Sequence, residues 1–352
     1  MEAKQCARAA AKVSDYLKFP DDDLAKSYYR VGFNGVSMAV AKSALQKSIR
    51  RGETAAARYW AAVLLASHKV ANLYNRLLVI SCEDIGPADT SALEQVVAAA
   101  ERYKVLRSVQ FKGPGAWKHL RNVVAIRADV DALVRMLCAA PKSRVCDHAC
   151  IGHVGPIFDV PEAPPRQAPV DGWISGMCAK AGDRDIVGAL ECMAYALKCP
   201  QDKRGAVLEE ILVRLKELGA GAAVRAARIV MSTKEKGSRP PFMPIVHGLF
   251  VAAGMGVDCN SKMVPGPLGA ATVYRRLLHD PTPEVPDWVN DMHVHGVKAG
   301  AVRAFVVSEN AALDPHVDPE QAPFPEREMY ERALAVGVPV RQTAKMAEKR
   351  RV

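Results

Sequence analysis

QKSIRRGE (Gln46 to Glu53) and SCEDIGPAD (Ser81 to Asp89) decide the fold. The first reads as a basic helix end that meets a Gly-Glu turn. The second reads as a helix that stops on an acidic pair and is closed by Gly86 and Pro87, a glycine stop followed by a residue that cannot continue a helix. Upstream, Val40, Ala41, Ala44, Leu45 and Ile49 recur at helical spacing, which predicts a helix over Ser37 to Arg51. Lys47, Arg50 and Arg51 suit its negative C-terminal end. Between the two signatures the spacing predicts helices over Glu53 to Ser67 and Lys69 to Asp84, with Trp60, Leu64, Val70, Leu73, Leu77 and Ile80 as core. Ser91 followed by Glu94 has the spacing of a capping box for the next helix.

Composition agrees with an all-α chain. Of the 352 residues, 49% are apolar but only 6% aromatic. Alanine supplies much of the apolar share, and alanine is the best helix former and a poor strand former. The length suits two modest domains. The expected organisation is a helical bundle or array with an N-terminal domain over 1–154, a Pro-rich linker over 155–170, a second helical domain over 171–325 and a C-terminal helix with a basic tail over 326–352. Pro156, Pro161, Pro164, Pro165 and Pro169 set the linker. After it, helical patterns resume over 171–199, 201–231, 243–257 and 267–279.

The two signatures, in this order and around an aromatic helix, resemble the C-terminal helical domain of the MgsA/RarA group of AAA+ proteins, relatives of the Werner-helicase-interacting protein. The matching positions are Lys47, Ser48, Ile49, Arg50, Gly52, Glu53, Tyr59, Trp60, Ala61, Arg76, Leu77, Ser81, Glu83, Asp84, Ile85, Gly86, Ala88 and Asp89. Arg51 is an insertion, and Cys82 and Pro87 replace the usual Ala and Leu. An ATPase of that family carries a G-x-x-x-x-G-K-(S/T) phosphate loop, whose backbone N–H groups hold phosphates. The sequence has no such run, so the resemblance implies the helical appendage without its motor. It further implies self-association, typically as a tetramer, and a place in DNA replication, recombination and repair. A free-standing copy of such a domain suits a phage or large DNA virus.

Charge points the same way. Forty-eight Lys and Arg against 38 Asp and Glu give +10, which draws a protein toward polyanions at low salt. The densest basic stretch is 101–127, where Phe111, Trp117 and His119 lie among the cations around Gly113 and Gly115. Interleaved aromatic and basic residues can stack bases and hold phosphates. Lys104, Arg107, Lys112, Lys118 and Arg121 are the candidate phosphate contacts. The expected partners are further copies of the chain and DNA or replication proteins, with no cofactor and no catalytic residue; a structural scaffold or virion component is one alternative, and a metal-dependent hydrolase using Asp291, His293 and His295 is a second.

Other clusters carry competing chemistry. Glu83 and Asp84 crowd the negative end of a helix dipole and require an offsetting charge. Arg50, Arg51 and Arg76 are the candidates, making a structural ion-pair cluster rather than a carboxylate pair for acid–base work. Cys146, His148, Cys150 and His153 spell C-x-H-x-C-x-x-H, whose ligand types suit zinc. Structural zinc needs wider spacing between two ligand pairs, so buried thiols near a linker are the simpler reading. Asp291, His293 and His295 spell the D-x-H-x-H of metal-dependent hydrolases, in which a strand puts both imidazoles on one face. On a helix the two histidines point about 200° apart, and alternating strands are missing from the pattern that follows.

Nine cysteines scattered singly, no secretory leader and no apolar run of about 18 residues point to a reduced intracellular compartment, cytoplasmic or nuclear, and away from a membrane.

Overall fold

The computed structural model describes residues 31–112, 115–155, 157, 169–200, 202–232, 241–264, 273–274, 277, 280, 282–285 and 289. The described residues form an all-α array; an isolated bridge between Val31 and Ser37 is their only β pairing. No helix among them is long and apolar enough to cross a membrane. Asp291, His293, His295, Gly113, the Trp117 side chain and most of the Pro-rich segment lie outside the described residues.

Two compact units do not follow chain order. One takes in residues 31–77, 95–140 and the described positions from 261 to 289; the other takes in 78–94 and 141–260. The chain leaves the first unit within one helix and returns within the next.

In the first unit, α1 (Met38–Arg50) starts on Ser37, whose hydroxyl accepts the Val40 N–H at 3.2 Å. Ala41, Ala44, Leu45 and Ile49 are buried, as their spacing predicts, and Gly52 ends the helix at φ +71°. α2 (Thr54–Ala66) is buried along most of its length, since it packs on both α1 and α5 (Val124–Ala139). Asp131 of α5 fixes that packing. Its carboxylate meets Arg58 of α2 at 2.6 Å and Arg135 at 3.1 Å. The turn after α2 is set by Ser67, whose hydroxyl donates to the Val63 carbonyl at 2.6 Å and accepts the Phe33 N–H at 2.8 Å. α3 (Val70–Ile80) and the long α4 (Thr90–Gln110) are joined in this unit by stacking of Tyr74 on Tyr103, with ring centroids 5.0 Å apart.

In the second unit, α3 runs on into a widened π turn over Ser81–Ile85 and a 3-10 turn over Gly86–Ala88. The predicted capping box is replaced here. Asp89, not Ser91, caps α4: its Oδ1 accepts from the Ser91 N–H at 3.1 Å and the Ser91 hydroxyl at 2.6 Å. A short α6 (Val145–Ala149) widens likewise over Cys150–Val154. α7 (Val170–Gly182) and α8 (Ile186–Leu197) form a hairpin, and α9 (Arg204–Glu217) and α10 (Gly221–Met231) follow. The patterns over 171–199 and 201–231 therefore each hold two helices. Arg184, left-handed at φ +62°, breaks the first, and its side chain donates to the Ala253 and Gly254 carbonyls at 3.2 and 3.0 Å. Gly219, at φ +88°, breaks the second. α11 (Phe242–Ala252) is the buried centre of the unit, packed against α6 to α10 and both widened turns.

Candidate nucleic-acid interface

The second half of α4 stands out from the core. Tyr103 is buried against Tyr74, whereas Lys104, Arg107, Ser108 and Gln110 are exposed, as is Lys112 just beyond the helix. Val105 and Val109, one turn apart, are 62% and 63% exposed, on the side away from Tyr103. Arg102 is exposed too, but pairs with Asp129 at 3.1 Å. Burial pushes the Tyr103 phenol up, and the nearby Arg107 charge opposes the shift.

The 3-10 segment Ala116–Asn122 follows, and two bonds fasten it to the turn after α2. The Lys118 carbonyl lies 3.2 Å from His68 Nδ1, and Arg121 Nη1 donates to the Ala66 carbonyl at 3.1 Å. Arg121 is fully buried. It is therefore a strap that satisfies a helix-end carbonyl, and the expectation that it contacts phosphate is corrected. Arg127 is buried as well. Its Nε donates to the Arg121 carbonyl at 2.6 Å, its Nη2 donates to Asn122 at 2.8 Å, and its guanidinium lies 4.4 Å from the centre of the Tyr274 ring. Burial lowers the Arg127 pKa. The remaining candidate contacts are Lys104, Arg107 and Lys112, which are exposed, and Lys118, which is half-buried. Of the aromatic residues among these cations, Phe111 is half-buried and His119 is exposed.

The acidic signature has a different surrounding. Asp84 is fully buried; its carboxylate lies 3.9 Å from Arg144 Nε, and its backbone carbonyl accepts the Ser143 N–H at 3.1 Å. Arg144 also pairs with Asp147. Arg144 is the cation that sequence reading missed. Its signal was the position of PKSR just before a helix start, which carries no hint that it reaches Asp84. Of the cations expected near Glu83 and Asp84, Arg76 donates to Gln46 at 3.1 Å, while Arg50 is buried at the end of α1.

Cys146, His148 and His153 are buried, and Cys150 lies 3.9 Å from the Met243 sulfur. Among the described residues no three His, Cys, Asp or Glu side chains gather as a metal-binding set. Burial pushes the Cys82 and Cys150 thiols up, so both are protonated near neutrality.

The geometry defines a helical array that presents a basic, partly apolar helix. Residues 52–109, which span α2, α3, the widened SCEDI turn and nearly all of α4, match the family described as MgsA AAA+ ATPase C terminal. That segment, about a sixth of the chain, is similar to the C-terminal helical region of this AAA+ family, the resemblance that the paired signatures carry. No curated protein and no solved structure matches the chain.

Proposed function

We propose that this is a non-catalytic, self-associating helical protein of DNA replication, recombination or repair, which binds DNA or replisome proteins through a basic surface. The family to which residues 52–109 are similar is one of AAA+ ATPases associated with replication and repair. The observation that carries the binding part is the outer half of α4 and the residues just beyond it, where Lys104, Arg107 and Lys112 stand exposed and Glu101, exposed as well, is the one acidic residue between 101 and 112. The +10 charge of the chain strengthens attraction to phosphate at low salt. Val105 and Val109 support the self-association part, because exposed apolar side chains one turn apart gain from a partner surface.

The test is binding of a labelled single-stranded oligonucleotide at graded salt. Affinity that falls steeply with salt supports the reading, with a slope of about −0.7 for each phosphate neutralised on a single strand. Salt-insensitive binding, or none at low ionic strength, rejects the nucleic-acid part. Light scattering on the same sample decides self-association, and a monomer at working concentration rejects it.

A further inference from the structure

Two sulfur atoms of the second unit meet where α11 packs on the widened turn after α6. Cys150 opens that turn, and its thiol lies 3.9 Å from the thioether of Met243 in the first turn of α11. π turns interrupt helices mostly at functional sites. Cys150 and Met243 are both half-buried, so the sulfur pair stays within reach of solvent.

His247 follows Met243 by four residues, which sets the two about 40° apart round α11. Side chains of a helix tilt toward its N-terminus, so the His247 imidazole leans over the Met243 turn. Gly248 faces elsewhere, since a Cβ there would meet Leu215, Ala220 and Ala223. His247 is 1% exposed, and its Nδ1 has no hydrogen-bond partner among the described residues. A buried polar atom in that state costs stability and calls for a partner. Burial also keeps the ring neutral at pH 7, the form in which imidazole ligates a metal.

The donor types and their spacing agree on one kind of ion. Thiolate and thioether are soft ligands that select Cu(I), whereas zinc takes thiolate, imidazole and carboxylate. Two sulfurs 3.9 Å apart, each about 2.3 Å from one ion, subtend an angle of about 116°. That is close to the angle of about 120° in a trigonal site, which leaves room for a third ligand. A thioether among the ligands is also consistent with the lack of a set of three His, Cys, Asp or Glu among the described residues.

We propose that Cys150, Met243 and His247 form a trigonal site for one Cu(I) ion, which ties α11 to the widened turn after α6. Binding replaces the Cys150 S–H bond with a sulfur–copper bond and releases the proton to solvent. Copper enters and stays as Cu(I), so no electron is transferred. The site belongs to the second unit and does not rest on the nucleic-acid reading of α4.

The experiment offers Cu(I), as its coloured bathocuproine disulfonate complex under anaerobic conditions, to the full chain. The proteins are wild type, Cys150→Ser, Met243→Leu, His247→Leu and a Cys259→Ser control, because the chain has nine cysteines and Cys259 is exposed. Thermal melting without metal reports whether each is folded, and Met243→Leu conserves volume, so it stays folded. Loss of even an outer-shell partner costs a metal site about 10–100-fold in affinity. Cys150→Ser should therefore bind at least about 100-fold more weakly, and Met243→Leu and His247→Leu about 10-fold or more, while Cys259→Ser matches wild type. Copper X-ray absorption should read two sulfurs and one nitrogen in wild type and one sulfur fewer in Met243→Leu, a change that a packing role does not produce. No copper uptake by wild type, wild-type affinity in Met243→Leu or His247→Leu, or a loss confined to Cys259→Ser overturns the site.

Discussion

Arg121 and the Ala66 carbonyl are joined at 3.1 Å inside the first unit, with the guanidinium fully buried. A buried charge left without its partners costs several kcal/mol, whereas an exposed lysine contributes little. Arg121→Gln should therefore lower unfolding stability by about 2–4 kcal/mol. Lys104→Gln and Arg107→Gln should each change it by no more than about 0.5 kcal/mol. Urea denaturation separates the two classes. A neutral Arg121→Gln would return Arg121 to the surface and to the list of phosphate contacts.

The contrast between Arg121 and Lys104 shows where sequence reading stops. Helix positions are legible because apolar recurrence is local: Ala41, Ala44, Leu45 and Ile49 mark one face whatever they pack against, and Gly52 marks the end. The direction of an arginine is not local. Arg121 turns inward because the Ala66 carbonyl, far back in the chain, lacks a helical donor, and a count of basic residues cannot register that. The SCEDI turn fails for a similar reason. Its acidic pair suggests a helix end, but the widening to a π turn goes with Ser143 and Arg144 arriving at Asp84 from beyond α5. The prolines of 155–170 suggest a linker, but the compact units do not divide the chain at a single point in the sequence; residues 78–94 group with 141–260 through contacts that composition does not encode.

Asp131 stands between Arg58 and Arg135 with only 4% of its side chain exposed. Arg135 itself is 37% exposed, so water screens its half of the arrangement. Asp131→Asn should lower stability by about 2–4 kcal/mol, because it leaves Arg58 facing an uncharged amide. Arg135→Gln should cost less than about 1 kcal/mol. Equal losses in thermal denaturation would mean that both pairs are equally shielded from water, contrary to this geometry.

Gly86 adopts φ +54°, ψ −145°, and a Cβ there would lie 3.0 Å from the Ser143 carbonyl oxygen. Backbone strain and a rigid backbone neighbour act together, and neither can relax by a rotamer change. Gly86→Ala should destabilise by about 2–4 kcal/mol, while Gly182→Ala, which meets nothing within 4 Å, should be close to neutral or stabilising. Guanidinium denaturation of the two variants decides it, and a neutral Gly86→Ala would mean that the 81–88 turn is adaptable.

His247 is buried in α11 between Val246 and Gly248, and burial alone pushes its pKa down to about 4 from an ordinary 6.5. The unfolded chain therefore takes up the proton first as pH falls. Stability is fully present above pH 6.5 and is lost as pH drops from there toward 4, by up to about 3 kcal/mol over that window. His247→Leu removes the titrating group from an apolar helix face, so it should flatten this part of the pH dependence and leave stability at pH 7.5 within about 1.5 kcal/mol of wild type. Denaturant titrations at pH 7.5, 6.0 and 4.5 on both proteins measure the difference between the two curves. Parallel curves would assign the acid sensitivity to other groups and would mean that His247 reaches water before the chain unfolds.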